Sequence, residues 1–264
     1  MNAPVLDCCR KDDEVPTPVR LQTHVFNPLG SKRALLIHGL TSDGATWWRL
    51  ASELADAGWM VVAPDLRGHG RSPAASAYDL DSFVADVALI GDGWDLVVGH
   101  SLGGAVAAKL LTQLDITSAV LIDPVLKVTG GDNATLSRAH LLASTGVLDP
   151  DEVRAQHPNW HERDVQRKVT AAALVTPDVV DAVLDENVPW DISADVANSG
   201  ARVHLVAADP VHGGTLQPEV ADTLADGVRV TAEIVTGCGH SIQRERPEII
   251  AAAVANVAPS DAAD

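Results

Sequence analysis

The segment Gly99-His-Ser-Leu-Gly103 has the spacing G-x-S-x-G, and it stands between an apolar strand from Asp95 to Val98 and an Ala-rich helix from Leu102 to Gln113. A sharp strand-to-helix turn forces its central residue into a strained backbone conformation and leaves no room for side chains at Gly99 and Gly103. Ser101 is then pushed out above the sheet, beside the N-terminus of a helix. Free backbone N–H groups and the positive end of the helix dipole would favour an oxyanion there. The chemistry these features suit is nucleophilic attack by the serine hydroxyl on a carbonyl carbon.

A serine hydroxyl is a poor nucleophile until a base takes its proton, and the chain has ten histidines to choose from. His240 fits best. It follows a late strand in the loop Gly237-Cys-Gly-His240, an exposed perch expected at the same sheet edge as Ser101. His100 is next to the serine, but its side chain is expected to point away. His38 and His69 lie in other strand-end loops.

These residues need a scaffold, and the apolar pattern supplies one. Strands are predicted over Val19 to Phe26, Ala34 to His38, Trp59 to Ala63, Asp95 to Val98 and Ser118 to Ile122. Helical segments are predicted over Thr46 to Ala57, Leu80 to Ile90 and Leu102 to Gln113, the first stopped by Gly58. Short apolar strands alternating with helices imply a mostly parallel central sheet with helices on both faces, an α/β class protein. From about Pro124 to Ala194 the strand signal vanishes and helical segments follow one another, broken at Gly130-Gly131, Pro150, Pro158 and Pro177. The strand pattern resumes at Arg202 to Ala207 and Val228 to Val235, before a last helix from about Pro247. The predicted organisation is therefore an N-terminal extension (1–18), a core (19–123 and 195–264) and a helical insertion (124–194).

A chain of 264 residues suffices for one full core with decoration. Its formal charge of -17 would repel phosphate backbones and anionic membrane surfaces, so neither nucleic acid nor membrane is an expected partner. No apolar run approaches the roughly 20 residues of a membrane span, and no secretory signal is visible, which makes the cytoplasm the default location. The three cysteines, Cys8, Cys9 and Cys238, define neither a disulfide framework nor a metal site. No metal or cofactor is expected. The partner expected is a small-molecule substrate, with homo-oligomer formation left open.

Taken together, the motifs resemble the α/β-hydrolase superfamily from about Leu21 to Ala252. The matching residues, in order, are His38-Gly39 after an early strand, Asp65-Leu-Arg-Gly-His-Gly-Arg-Ser72, the turn from Gly99 to Gly103, and Gly239-His240. The resemblance implies an oxyanion hole formed by the backbone N–H groups of Leu40 and Leu102. It also implies a third member, an acid that fixes the imidazole tautomer. In most of the family that acid lies three residues beyond a small residue ending the strand after the insertion. Counting three on from Ala208 reaches Val211, so the usual slot is vacant. Two aspartates compete: Asp123, which ends the preceding strand and occupies a position some members use, is favoured, and Asp209, in an Asp-Pro turn, is the alternative. The segment Asp65 to Ser72 is read as an Arg-braced turn.

The insertion should lie over the strand ends as a cap, because that is where a chain leaving the C-terminal end of a strand would sit. Trp160 and Trp190 within it, with Trp47 and Trp48 after the oxyanion loop, would wall an apolar pocket, unless they simply pack between cap and core. The function implied is a serine hydrolase that cleaves an ester or lactone of a small, largely apolar molecule through an acyl-enzyme. The same machinery in the family also cleaves thioesters, amides and carbon-carbon bonds. Epoxide hydrolases and haloalkane dehalogenases of the fold carry Asp where Ser101 stands, which argues against both. Cofactor-free dioxygenases and perhydrolysing relatives retain a serine and histidine and stay open. A non-catalytic small-ligand receptor is the alternative of another class.

Overall fold

The computed structural model describes residues 17–128 and 138–259. Cys8, Cys9, nearly all of the N-terminal extension and the break at Gly130-Gly131 lie outside them. In chain order the elements are β1 (Thr23–Phe26), β2 (Lys32–Ile37), α1 (Trp48–Asp56), β3 (Trp59–Pro64), α2 (Leu80–Ala88), β4 (Leu96–His100), α3 (Leu102–Leu110) and β5 (Ser118–Ile122). The inserted stretch holds β6 (Lys127–Val128), α4 (Arg138–Ala143), α5 (Pro150–Gln156), α6 (Glu162–Ala172), α7 (Pro177–Asn187) and β7 (Trp190–Asp191). Then follow α8 (Ser193–Asn198), β8 (Arg202–Ala208), α9 (Pro218–Leu224), β9 (Val230–Val235), α10 (Ile242–Glu245) and α11 (Pro247–Val257).

Seven strands form one sheet in the order β1-β3-β2-β4-β5-β8-β9, parallel throughout except for the antiparallel β1 edge. The alternation of side chains along a strand explains why these segments read as unbroken apolar runs. Leu35, Ile37, Val97, Ala119, Leu121, Val203 and Leu205 face one core, which α2, α3 and α8 cover. Ala34, Leu36, Leu96, Val98, Val120, Ile122 and Val206 face the other, under α1 and α11. Helices cover both faces, so the central strands carry apolar residues on either side, and the buried Ser118 of β5 satisfies its hydroxyl on Asp95 O (2.7 Å).

One expectation needs correction. The inserted stretch is not purely helical, because β6 and β7 pair antiparallel through Lys127–Asp191 and Val128–Trp190 at the points where the chain leaves and rejoins the sheet region. Strands of two residues are too short to leave a periodic signal. The stretch packs on the core of the sheet, where α7 buries Val179, Val180, Val183 and Leu184. Its last residue, Asn187, accepts a hydrogen bond from Leu80 N (2.6 Å) and donates one to Tyr78 O (2.8 Å), clamping the entry to α2.

The Asp65-to-Ser72 segment is a braced turn. The Asp65 carboxylate accepts from Gly44 N (2.8 Å), Arg71 N (2.9 Å) and the His24 ring (3.0 Å). Arg67, 1% exposed, grips Asp86 with two hydrogen bonds of 2.6 and 2.7 Å and donates a third to Ala77 O. Removing one partner of such a pair strands the other charge in the core. We expect Arg67→Ala to cost about 3–5 kcal/mol, read as a fall in the urea midpoint at unchanged slope. A loss under about 1 kcal/mol would show that water reaches the pair.

His38 and His69 are fully buried with ring centroids 5.2 Å apart. His38 donates from Nδ1 to Gly39 O (2.8 Å) and accepts at Nε2 from Leu66 N (2.9 Å), which fixes it as the neutral tautomer. Burial lowers its pKa to about 4 and that of His69 to about 3. An unfolded imidazole takes up its proton near 6.5, so below that pH the unfolded state binds more protons. Folding stability is therefore full above about pH 6.5 and falls as the pH drops toward the folded values. We expect about 2 kcal/mol to be lost per histidine between about pH 6.5 and pH 5, above the range of ordinary carboxylates. Urea titrations at both pH values check this, with His69→Gln flattening the dependence. An unchanged slope in that variant would contradict the assignment.

Candidate active site

The loops that leave the C-terminal ends of β2, β4, β5, β8 and β9 meet at one edge of the sheet, the place where open parallel sheets bind ligands. Ser101 follows β4 with φ 54° and ψ -118°, a strained conformation for a residue with a side chain. The glycines around it explain how the turn closes. A Cβ at Gly99 would lie 2.4 Å from Gly103 O, and one at Gly103 would lie 2.3 Å from Ile37 O. Ser101 N donates to Ile122 O at 3.0 Å, which ties the turn to β5. Leu102 is the first residue of α3, so its N–H has no partner within the helix. Across from it, Gly39 packs so closely that a Cβ there would stand 3.0 Å from Ser101 Cβ, which brings the Leu40 loop against the serine.

Asp123 follows β5 with φ 40° and no exposed surface. Its Oδ1 accepts from Ala208 N (3.1 Å) and Leu216 N (3.0 Å), and its Oδ2 from Thr215 N (2.8 Å). The His240 ring completes the set, Nδ1 donating to Oδ2 at 2.6 Å. Burial alone would raise the carboxyl pKa. The His240 hydrogen bond and charge, with the N–H groups of Leu216 and Thr215, outweigh it and hold Asp123 below the usual carboxylate value. With Nδ1 committed to Asp123, the free basic nitrogen of His240 is Nε2, and the side chain is 34% exposed, so that a substrate can reach it.

Asp209 makes other bonds. Its carboxylate accepts from Val211 N (3.0 Å) and Gly237 N (2.8 Å) and lies 3.5 Å from His212, with no contact to His240. It caps the Pro210–His212 turn and braces the loop that carries His240. Of the two candidate acids, only Asp123 touches the imidazole.

His100 does not point away from this centre. Its Nε2 donates to the backbone carbonyl of His240 at 2.9 Å and its ring lies 4.6 Å from the His240 ring. It holds the histidine loop over the sheet edge. Two contributors were invisible in sequence: the N–H groups of Thr215 and Leu216, which come from the loop after β8 and carry no side-chain signature.

The four tryptophans do not form one wall. Trp47, 1% exposed, packs beneath the sheet in the α1/α11 core. Trp48 donates from its indole to Asp164 on α6 (2.8 Å) and is flanked by Arg49, His161 and Arg163, a contact between core and insertion. Trp190 donates to Val125 O at 2.8 Å beside the β6–β7 pair. Trp160 packs with Val153 and Val165 and has Arg244 over its ring at 4.6 Å. The expectation of an apolar wall made by all four is therefore corrected: an indole's size and polarity suit a buried position with a polar partner, but do not say which surface it is buried against.

A model of the alpha/beta hydrolase family matches residues 34–253. The chain belongs to that family. The Lipase LipV of Mycobacterium tuberculosis is 33% identical over 269 residues, covering 89% of this chain and 97% of the lipase. Among solved structures, the N-formylmaleamic acid deformylase of Pseudomonas putida S16 superposes with a TM-score of 0.69 at 25% identity, covering 89% of this chain and 96% of the other. An esterase from Rhodococcus sp. ECU1013 superposes at 0.67 with 22% identity, covering 89% and 92%. Among the described residues no helix is long and apolar enough to cross a membrane.

Proposed function

We propose that the protein is a serine hydrolase of carboxylic esters or lactones, with Ser101 as nucleophile, His240 as general base and Asp123 as the acid that orients it. The observation that carries the reading is the 2.6 Å bond from His240 Nδ1 to a buried, ionised Asp123, at the sheet edge where Ser101 is held in a strained turn. In this reading Ser101 Oγ attacks the carbonyl carbon while His240 Nε2 takes the hydroxyl proton. The carbonyl electrons move onto the oxygen, which the N–H groups of Leu40 and Leu102 receive. The intermediate collapses, the alkoxide leaves with the proton from His240, and the acyl group stays on Ser101. Water then attacks the acyl-enzyme, giving its proton to His240, and the second intermediate collapses as His240 returns that proton to the departing Ser101 Oγ and the carboxylic acid is released.

The likeness to a protein named as a lipase supports the ester reading. The insertion acts as a cap in this scheme, with α6 and the Trp48–Asp164 contact closing one side of the approach. The proposed test is intact mass spectrometry after treatment with a fluorophosphonate. One adduct on the native chain, absent in a folded Ser101→Ala variant, is the expected result, and a folded native chain that forms none would overturn the reading. Turnover of matched ester, lactone and amide substrates then ranks the bond cleaved.

A further inference from the structure

Two cations meet at the loop that follows Leu40, and neither has an acidic partner within ion-pair distance among the described residues. Lys168 reaches from α6 to Thr41, donating to its hydroxyl at 2.9 Å and its carbonyl at 3.3 Å, and to Ser144 O at 3.3 Å. All three acceptors are neutral. Arg244, on α10 four residues beyond His240 and 6% exposed, donates to Thr46 Oγ1 (2.6 Å) and Ser42 Oγ (3.3 Å). Its Nε is buried without a partner, and so is the indole Nε1 of Trp160, on whose ring Arg244 lies.

Leaving a buried donor unpaired costs about 1–3 kcal/mol, and an uncompensated buried charge costs more. Cations kept in this state beside a reaction centre fit a counter-charge that arrives with the ligand. Burial lowers the Arg244 pKa, and the charges of Asp164 and Asp43 offset that only in part and without an ion pair. Asp164 is engaged by the Trp48 indole (2.8 Å) and by Arg49 (3.8 Å). Asp43 lies beyond ion-pair distance, its Oδ1 has no partner, and burial raises its pKa. Burial and the Arg244 charge lower the Lys168 pKa to about 7, the response of an ammonium without a counter-ion.

We propose that Arg244 and Lys168 bind a carboxylate carried by the substrate, so that the hydrolase acts on acid-bearing acyl compounds rather than on wholly apolar ones. The proposal rests on the hydrolase reading above for its turnover, and on Ser42 and Thr41 for its place, since both directly follow Leu40. A planar carboxylate matches the fork of a guanidinium. The two 3.3 Å contacts of Lys168 are long enough to be exchanged for it. This revises the expectation of a largely apolar substrate.

The experiment compares kcat/KM for p-nitrophenyl butyrate and for p-nitrophenyl hemiglutarate, whose acyl chain ends in a carboxylate. In an apolar pocket the charged ester is the poorer substrate. The native enzyme is expected to favour the hemiglutarate at least about 10-fold, and Arg244→Gln and Lys168→Met each to lower that ratio about 10-fold or more, as loss of a charge-assisted contact implies. Preference for the butyrate by a native chain whose Ser101 takes the fluorophosphonate label would overturn the proposal and leave the hydrolase reading intact. The native comparison needs no variant, so a misfolded Arg244→Gln does not spare the proposal. If Ser101 takes no label, the hydrolase reading fails, and calorimetric titration of the native chain with glutarate decides the anion site: binding that Lys168→Met weakens supports it, and no binding overturns it.

Discussion

Ser101→Ala is expected to lower kcat on p-nitrophenyl butyrate by on the order of 10⁵- to 10⁶-fold, to a residual rate set by the oxyanion donors and substrate binding alone. The fold should survive, because the alanine methyl occupies the space of the serine Cβ, already 3.0 Å from where a Cβ at Gly39 would lie. The backbone strain should survive too, since alanine at φ 54° is no more comfortable than serine. Ser101→Gly is equally inactive but relieves that strain, and should unfold at higher urea than Ser101→Ala by about 1–2 kcal/mol. Stopped assays with enough enzyme to see the residual rate, together with urea titration of both variants, check the pair. Retention of more than about a hundredth of the native kcat would be incompatible with the roughly 10⁵-fold loss expected of a nucleophile.

Asp123→Asn is expected to lower kcat about 10⁴-fold near neutral pH. Four donors converge on this carboxylate: Ala208 N and Leu216 N on Oδ1, Thr215 N and His240 Nδ1 on Oδ2. An asparagine has one accepting oxygen. With that oxygen toward Ala208 and Leu216, its amide faces Thr215 N–H and His240, so His240 must turn to the tautomer that accepts at Nδ1 and carries its proton on Nε2. The nitrogen needed as a base is then blocked. Thr215 N–H is left without a partner, which costs about 1–3 kcal/mol of stability. Asp209→Asn should cost less than about 5-fold in kcat, because its carboxylate meets only Val211 N, Gly237 N and His212. Equal losses in the two variants would contradict the assignment of Asp123.

The amino-acid sequence by itself determined the scaffold and singled out the residues proposed here as nucleophile and base. Gly99 and Gly103 leave a local signature because the contacts they avoid, with Gly103 O and Ile37 O, are built into any strand-to-helix turn packed on a neighbouring strand. The central strands announced themselves because helices cover both sheet faces, and the alternation of Leu35 and Ile37 with Ala34 and Leu36 between two cores puts apolar residues at successive positions. Such constraints act within a few residues and are visible in a few residues.

The rest was decided by contacts across long separations. Asp123 and Asp209 each end or follow an apolar strand, and local chemistry makes both good turn residues. They part because β8 pairs with β5 on one side and β9 on the other, so the loop carrying Thr215 and Leu216, about 90 residues away, folds its N–H groups onto Asp123. The meeting of Lys168 with Thr41, 127 residues apart, and of Arg244 with Ser42, 202 apart, has the same origin. A lysine on an amphipathic helix reads as solvated in sequence, and the packing of α6 against the Gly44–Trp47 turn and the Thr41 loop leaves Lys168 half-buried. The tertiary structure decided these pairs because burial and the choice of partner are properties of how the elements pack on one another, which local periodicity does not encode.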